Sequence, residues 1–340
     1  MRCDLLALKI DLFNHFFPKR FWEEFQSFSA GLKDMGKRVR NIRNIYDLES
    51  RMRCMDEFDE YQQLISLGSP PVEGLFNAEK APEMARIGND GQAELVQKHP
   101  DRFIGFLASL AMTSPDEAVK EVTRSVKQLG ASGIQLYTNV VGKALDEPEF
   151  LPVFEEIVKL DVPIWLHPAR AANFPDYLTE KKSKYEIWWT LGWPYETSTC
   201  MARMVFSGFF DRWPNLKIIT HHMGAMIPYF EGRVGYGWDM LGTRTTDEGY
   251  EELLKSMKKR PIDYFHMFHA DTALFGARAG TVCGLEFFGI DNVVFASDTP
   301  FEPTPGLYIR ETIKVIESLD LTADQKDQIF RRNALKLLKK

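Results

Sequence analysis

Histidine placement is the first sign of chemistry in this sequence. Of seven histidines, five lie at or just beyond the ends of short apolar runs: His15, His167, His221, His222 and His269. A further run ends in the segment Ser297-Asp298-Thr299-Pro300. Imidazoles together with a carboxylate suit a first-row divalent metal such as zinc, manganese or iron, and a catalytic site leaves one coordination position open. The pattern therefore indicates metal-dependent chemistry, provided that the fold gathers these residues.

Eight apolar runs, rich in β-branched and aromatic residues, are predicted to be strands. They span 6–13, 62–67, 103–110, 133–137, 162–167, 216–222, 264–269 and 293–297. Near-continuous apolar runs are typical of parallel strands that are covered on both faces. Segments with helical spacing lie between them, at 115–129, 149–160, 197–210, 272–285, 307–319 and 322–338. The repeated alternation predicts an α/β protein in which residues 1–340 form a single (β/α)8 TIM barrel domain.

Barrel closure is what would bring the distant histidines together. The carboxyl ends of barrel strands converge on one rim, so residues nearly 300 positions apart can share a site. The rival fold, an open doubly wound sheet, needs a glycine-rich turn after its first strand. The segment NHFFP at 14–18 offers no such turn.

Residues 14–50 form a long excursion after the first predicted strand, rich in Phe and Arg. A connection of this length predicts a lid or a substrate loop. Its basic residues cluster at Lys37, Arg38, Arg40 and Arg43. A solvated loop is the simpler interpretation of that cluster, although one of these arginines could reach an anionic substrate.

Composition excludes several classes of function. The formal charge of −6 argues against a nucleic-acid-binding surface, and no apolar run reaches the 18 residues of a membrane span. The four cysteines are scattered, which suits a reduced protein, and the first residues do not form a signal peptide. We therefore expect a cytoplasmic protein with a small-molecule substrate.

Several motifs together resemble the amidohydrolase superfamily, in the branch typified by aminocarboxymuconate-semialdehyde decarboxylase, which also holds non-oxidative decarboxylases of hydroxybenzoates. The motifs are IDLFNH at 10–15, RCMD at 53–56, FIGF at 103–106, LGASGIQ at 129–135, LHP at 166–168, GWPYET at 192–197, FFDRWPNLK at 209–217, HMGAMIP at 222–228 and SDTPF at 297–301. Each is weak alone, but together they cover nearly the whole chain.

The resemblance implies roles for individual residues. It implies that His15, His167 and Asp298 bind a divalent metal, most simply zinc, and that His222 is the acid/base residue. We expect His222 rather than His221 to face the site, because consecutive strand residues point to opposite sides. Asp298 is a second group that could move a proton.

Further roles follow from the same resemblance. Asp271 matches an acidic position that could orient ligands, and Arg233 matches an arginine that could bind carboxylate within the chain or across a subunit interface. For both residues a structural ion pair is an equal alternative. Trp193 and Tyr195 are candidate pocket residues for a planar substrate, and a homodimer is implied by the resemblance alone.

One departure from the family pattern concerns the first strand. The family usually has H-x-H there, whereas this chain has Phe13-Asn14-His15, and phenylalanine cannot coordinate a metal. The metal could keep three protein ligands together with water or substrate oxygens, which we favour. Alternatively, His266 or His269 could supply the missing ligand, or the chain could have lost its metal.

Three functions remain open from the sequence. The leading hypothesis is non-oxidative decarboxylation of a small aromatic or unsaturated carboxylic acid. The second is hydrolysis of an amide, ester or lactone by the same metal, which can activate water without another cofactor. The third is a metal-free, non-catalytic relative.

Overall fold

The barrel is built from eight parallel strands. The computed structural model describes residues 8–29, 32–244 and 248–340. The strands are β1 (Lys9–His15), β2 (Tyr61–Ser66), β3 (Phe103–Ser109), β4 (Gly133–Tyr137), β5 (Ile164–His167), β6 (Ile218–Thr220), β7 (His269–Asp271) and β8 (Val293–Val294). They pair in this order. The Leu12 N–H donates to the Phe295 carbonyl at 2.9 Å, which brings the segment after β8 against β1 and nearly closes the barrel. The predicted barrel is confirmed.

Helices cover the barrel and its rim. They are α1 (Lys19–Ser29), α2 (Asp34–Arg40), α3 (Leu48–Met55), α4 (Val72–Leu75), α5 (Ala81–Lys98), α6 (Pro115–Lys127), α7 (Leu151–Leu160), α8 (Ile187–Thr190), α9 (Gly192–Phe206), α10 (Phe209–Arg212), α11 (Tyr250–Ser256), α12 (Pro261–Phe265), α13 (Arg278–Phe288), α14 (Leu307–Ser318), α15 (Ala323–Asp327) and α16 (Asn333–Leu338). Short 3-10 turns lie at Arg43–Ile45, Pro148–Phe150, Trp238–Met240 and Ile290–Asn292, and π-helical turns at Arg233–Gly237 and Gln328–Arg332. Within the described ranges, no helix is both long and apolar enough to cross a membrane.

Apolar side chains fill the barrel interior and the layer outside it. Leu12, Leu64, Leu107, Trp165 and Ile219 are fully buried and belong to one inner cluster. A larger cluster joins the outer faces of the strands to the helices around them. Both faces of each strand are therefore covered, which explains why the strands appear in the sequence as continuous apolar runs.

Strand β7 corrects one sequence prediction. Tyr264 and Phe265 lie in helix α12, which starts at Pro261, and the strand begins only at His269. Proline fits the first turn of a helix because its missing N–H needs no partner there. A short apolar run fits a buried helix as well as a strand, so periodicity could not separate the two. The predicted placements of His266 inside a strand and of His269 at a strand end are wrong.

Other boundaries move by a few residues. The helix predicted at 272–285 is α13, Arg278–Phe288, and the one predicted at 322–338 is divided by the π-helical turn Gln328–Arg332. The start of the first predicted strand, residues 6 and 7, lies outside the described residues.

The excursion at 14–50 is a helical cap rather than an extended loop. It contains α1 and α2 together with the start of α3. Phe17, Phe21 and Phe25 are buried in one cluster with Trp193 and Phe301, which follow β5 and β8. The cap is therefore packed over the carboxyl rim, where barrel enzymes carry their chemistry. Its predicted role as a lid stays a prediction.

Candidate active site

Three side chains from distant parts of the sequence meet at the carboxyl rim. His15 ends β1, His167 ends β5, and Asp298 follows β8. Each offers a ligand atom, and these atoms lie within 4.8 Å of one another. His15 Nε2 is 3.2 Å from Asp298 Oδ1, and all three residues are buried. The fold thus brings together the residues that the sequence analysis assigned to a metal.

Hydrogen bonds from Nδ1 to backbone carbonyls hold two of the imidazoles in one orientation. His15 Nδ1 lies 3.1 Å from the Leu67 carbonyl, and His167 Nδ1 lies 2.7 Å from the Pro168 carbonyl. A carbonyl can only accept, so each Nδ1 carries the proton and each Nε2 presents a lone pair. Metal-binding histidines are usually held in this way. The donor set therefore fits a divalent cation.

Both His221 and His222 belong to the site. Strand β6 ends at Thr220, and His222 has a positive φ of 55°, so strand alternation no longer applies. The two rings have centroids 3.7 Å apart. His221 Nε2 lies 3.4 Å from Asp298 Oδ1. The expectation that only His222 would face the site is wrong, because the strand stops one residue before the pair.

Asp271 orients this histidine pair. Its carboxylate accepts from His221 Nδ1 at 2.6 Å, and from the backbone N–H groups of His222 and Ala273 at 3.0 Å. The residue is fully buried at the end of β7. The contact is also an ion pair when His221 is protonated, so the orienting role and the structural ion pair both stay predictions.

Phe13 occupies the position where the family pattern has a histidine. Its ring centroid lies 5.0 Å from that of His15, 5.7 Å from that of His167 and 4.2 Å from that of His221. The ring is fully buried. It provides an apolar wall in contact with three imidazoles and no ligand atom.

Burial and charge set the protonation of the cluster. Burial lowers the pKa of His15, and burial with the neighbouring imidazoles lowers that of His167 well below 6.5. Burial also opposes protonation of His221, but Asp271 and Asp298 outweigh it and raise its pKa to about 9. The imidazoles outweigh burial at Asp298 and hold its pKa well below 3.8. The protein thus favours one positive charge between the two carboxylates.

His222 is neutral at pH 7. Burial and the charge of His221 lower its pKa to about 3. Within the part of the chain that the structure describes, its Nδ1 atom has no hydrogen-bond partner. A neutral imidazole with an unpaired nitrogen can exchange a proton with a bound substrate.

Asp11, a buried residue that the sequence analysis did not single out, fixes the segment next to Asp298. Asp11 accepts from the Ser297 N–H at 3.1 Å and from the Tyr61 hydroxyl at 2.5 Å. Asp298 itself has a positive φ of 64°, a conformation that is uncommon for non-glycine residues. The available signal for Asp11 was a carboxylate inside an apolar run.

Arg38 lies above the cluster and was not separated from its basic neighbours by sequence. Its guanidinium donates to the Phe301 carbonyl at 2.8 Å, and its Cζ lies 4.8 Å from the Trp189 ring centroid and 5.4 Å from that of Phe301. The centroid of the Phe301 ring in turn lies 5.4 Å from that of the His15 ring. Among the described residues no carboxylate pairs with Arg38, so this cation is available to an anionic substrate.

Of the three remaining residues predicted to bind substrate, one lies beside the histidine cluster and two lie in a separate groove. Trp193 lies beside the cluster, with its ring centroid 5.6 Å from that of His167. Tyr195 and Arg233 instead line a separate outer groove of about 850 Å³.

His266 and His269 line another depression, together with residues such as Asn292 at the amino end of the barrel. They do not replace the missing ligand at Phe13. That alternative to the favoured three-ligand site is wrong because the strand starts, rather than ends, at His269.

The amidohydrolase family matches residues 15–340. The chain belongs to the amidohydrolase family. It is 30% identical to 2-amino-3-carboxymuconate-6-semialdehyde decarboxylase of Dictyostelium discoideum, over 98% of this chain and 92% of that protein. It is also 30% identical to gamma-resorcylate decarboxylase of Rhodococcus jostii, over 95% and 92%.

Among solved structures, the chain is similar to dihydroxybenzoic acid decarboxylase of Polaromonas sp. JS666, which holds manganese and the inhibitor 2-nitroresorcinol. The TM-score is 0.79 at 28% identity, with 98% of this chain and 97% of that chain covered. The predicted family is confirmed, and the predicted reaction class agrees with these three decarboxylases.

Proposed function

We propose that this protein is a metal-dependent non-oxidative decarboxylase of a hydroxybenzoate-type aromatic acid. The observation that carries the proposal is the meeting of His15, His167 and Asp298 at the rim, with their ligand atoms within 4.8 Å, in a chain whose relatives are decarboxylases. A divalent ion bound by these residues would act as a Lewis acid toward the carboxylate and an adjacent hydroxyl of the substrate. Zinc remains our expectation for the ion, and manganese is the alternative suggested by the Polaromonas structure.

Substrate binding is assigned to the cap and the aromatic side chains around the cluster. Arg38 offers a guanidinium held between the Trp189 and Phe301 rings, and it would pair with the anionic end of the substrate. Phe13 and Trp193 supply apolar surface beside the imidazoles, which suits a planar ring. These apolar walls also exclude water, and exclusion of water strengthens the charge interactions in the site.

Proton transfer is assigned to His222. Decarboxylation breaks the bond between the ring and the carboxyl carbon, and a proton must take the place of carbon dioxide on the ring. The proton balance closes if the substrate hydroxyl gives its proton to His222 Nδ1, which then delivers it to the ring carbon, and the product phenolate regains a proton from water. Because His222 is neutral, it has a lone pair with which to accept the proton, and its low pKa makes the protonated ring a strong donor for the delivering step. Asp298 is an alternative proton carrier.

The roles of Tyr195 and Arg233 depend on a second copy of the chain. Both line the outer groove, whose neighbourhood also exposes Tyr229 and Tyr236. Aromatic residues and arginine are enriched at protein interfaces. We propose a homodimer through this groove, and a cytoplasmic location suited to the free cysteines Cys54, Cys200 and Cys283. Sedimentation of the purified protein tests the assembly, and a monomer would contradict it.

An activity panel tests the proposed reaction. Release of carbon dioxide from 2,6-dihydroxybenzoate and other hydroxybenzoates is compared with turnover of amides, esters and lactones, in the presence of zinc or manganese. We expect carbon dioxide from at least one acid, and its loss in His222→Ala. Turnover of the amides or lactones alone would favour the hydrolase, and no turnover of any acid would refute the proposal.

A further inference from the structure

The His221 imidazole has one nitrogen that contacts the Asp298 carboxylate but forms no hydrogen bond among the described residues. Its imidazole is 1% exposed, and within residues 8–29, 32–244 and 248–340 its Nε2 atom has no hydrogen-bond partner. This atom lies 3.4 Å from Asp298 Oδ1, although the pair does not meet the geometry of a hydrogen bond. Leaving a buried polar atom unpaired is unfavourable, so such an atom at a functional site calls for a partner.

The other nitrogen of the same ring is fixed. His221 Nδ1 lies 2.6 Å from Asp271 Oδ2, which makes Nδ1 the proton-bearing nitrogen whenever the ring is neutral. The Nε2 lone pair then points away from Asp271, toward Asp298. This is the arrangement in which a second carboxylate orients a metal-binding histidine and raises its basicity. His15 and His167 are held in the same sense by backbone carbonyls.

Spacing around Asp298 also fits a shared ion. Ligand atoms bonded to one ion at about 2.0–2.2 Å lie roughly 2.8–3.1 Å apart at octahedral angles and roughly 3.3–3.6 Å apart at tetrahedral angles. Asp298 Oδ1 lies 3.2 Å from His15 Nε2 and 3.4 Å from His221 Nε2. Each separation lies within about 0.1 Å of the tetrahedral range, so either nitrogen could share an ion with this carboxylate oxygen.

The position of Phe13 explains why His221 would be needed as a ligand. Its ring centroid lies 4.2 Å from that of His221, closer than to either of the other two imidazoles. We propose that His221 is the fourth protein ligand of the metal, supplying from the end of β6 the imidazole that Phe13 cannot supply from β1. Asp271 is then a positioning residue that acts through His221. The inference rests on the metal dependence of the proposed function.

Metal affinity tests the inference without recourse to activity. Wild type, His221→Ala and a control, His269→Ala, are stripped of metal and titrated with zinc and with manganese by calorimetry, and circular dichroism verifies that each variant is folded. We expect His221→Ala to bind at least about 100-fold more weakly, since even the loss of an orienting partner costs 10–100-fold. His269 lies at the other end of the barrel, so its variant should bind as wild type does.

A rescue variant covers the case in which His221→Ala folds poorly. Phe13→His combined with His221→Ala returns an imidazole to the same space from the opposite strand, and we expect it to recover at least tenfold in affinity over His221→Ala. X-ray absorption of the zinc-loaded wild type should show three imidazole ligands, and two would overturn the proposal.

The outcomes separate the inference from the proposed function. Unchanged affinity in His221→Ala, with active wild type, would overturn the role of His221 and leave the decarboxylase proposal standing. Absence of metal binding by wild type would overturn both, and would mean that protonated His221 bridges Asp271 and Asp298 in place of an ion. Lost affinity in His221→Ala, with no release of carbon dioxide from any acid by wild type, would support the ligand and refute the reaction.

Discussion

Glu73 is a buried acid beneath the site, and its replacement should stabilise the protein in a pH-dependent way. The residue lies in α4 and is 6% exposed, and within the described part of the chain its Oε2 atom has no hydrogen-bond partner. Burial raises its pKa from 4.5 to about 7. The same small cavity is lined by Tyr137, whose ring contacts His167. We expect Glu73→Gln to be more stable than wild type above neutral pH.

The size of the effect follows from the shift in pKa. Between pH 4.5 and about 7, the folded state holds a proton on Glu73 that the unfolded state has released, so the stability of wild type falls as pH rises through this window. Each unit of pKa corresponds to about 1.4 kcal/mol, which gives a cost of about 3 kcal/mol above pH 7. Glutamine stays neutral and avoids that cost. At about 1–3 °C per kcal/mol for a chain of this size, the melting temperature should rise by about 3–9 °C at pH 8.

Thermal melts at pH 4.5 and pH 8, followed by circular dichroism, measure this difference. Glu79→Gln is the matched control, because Glu79 is exposed in the following loop and should change little at either pH. Wild type and Glu73→Gln should melt close together at pH 4.5 and separate at pH 8. Equal separation at both values, or a less stable variant at pH 8, would refute the reasoning.

Three further predictions concern the site and its frame. Arg38→Met should raise KM for a hydroxybenzoate about 10- to 100-fold with a smaller change in kcat, because it removes the cation that pairs with the substrate. In the same steady-state assays the exposed neighbour variant Lys37→Met should match wild type, and a fall in kcat alone for Arg38→Met would contradict substrate binding by Arg38. Gly284→Ala would place a Cβ 1.9 Å from Met223 Cγ, next to His222, and should lower the free energy of unfolding in denaturant by about 1–3 kcal/mol. Gly280→Ala in the same helix meets only the Leu274 Cδ1 tip at 3.0 Å and is the control, so equal stability of the two variants would contradict this packing. Removal of metal with a chelator should abolish carbon dioxide release and lower the melting temperature, and a melting temperature that the chelator does not change would count against a bound metal. Zinc or manganese added back at 100 times Kd should raise the free energy of unfolding by about 2.7 kcal/mol.

The barrel could be predicted because its physical signature is local. Each strand is covered on both faces, so it appears as a continuous apolar run, and the eight runs alternate with amphipathic segments. The rim then follows from topology, since carboxyl strand ends converge whatever the details. Topology alone predicts that the strand-end histidines and Asp298 meet at one rim, and the resemblance to the family selects His15, His167 and Asp298 as the metal ligands.

The errors arise where tertiary contacts override local pattern. Strand alternation selected His222 over His221, but β6 ends at Thr220 and the positive φ of His222 turns both rings toward the site. The position of Arg38 depends on α2 packing beneath Trp189 and Phe301, which no spacing in the sequence reveals. Local periodicity carries no information about such contacts.

The central claim is that distant imidazoles and one carboxylate hold a common cation at the rim. A crystal structure of the zinc-loaded protein, with anomalous scattering at the zinc edge, tests it most directly. We expect one peak within about 2.0–2.3 Å of nitrogens from His15 and His167 and of an Asp298 oxygen. A fully loaded protein whose zinc lies elsewhere, for example against His266 and His269, would contradict the account.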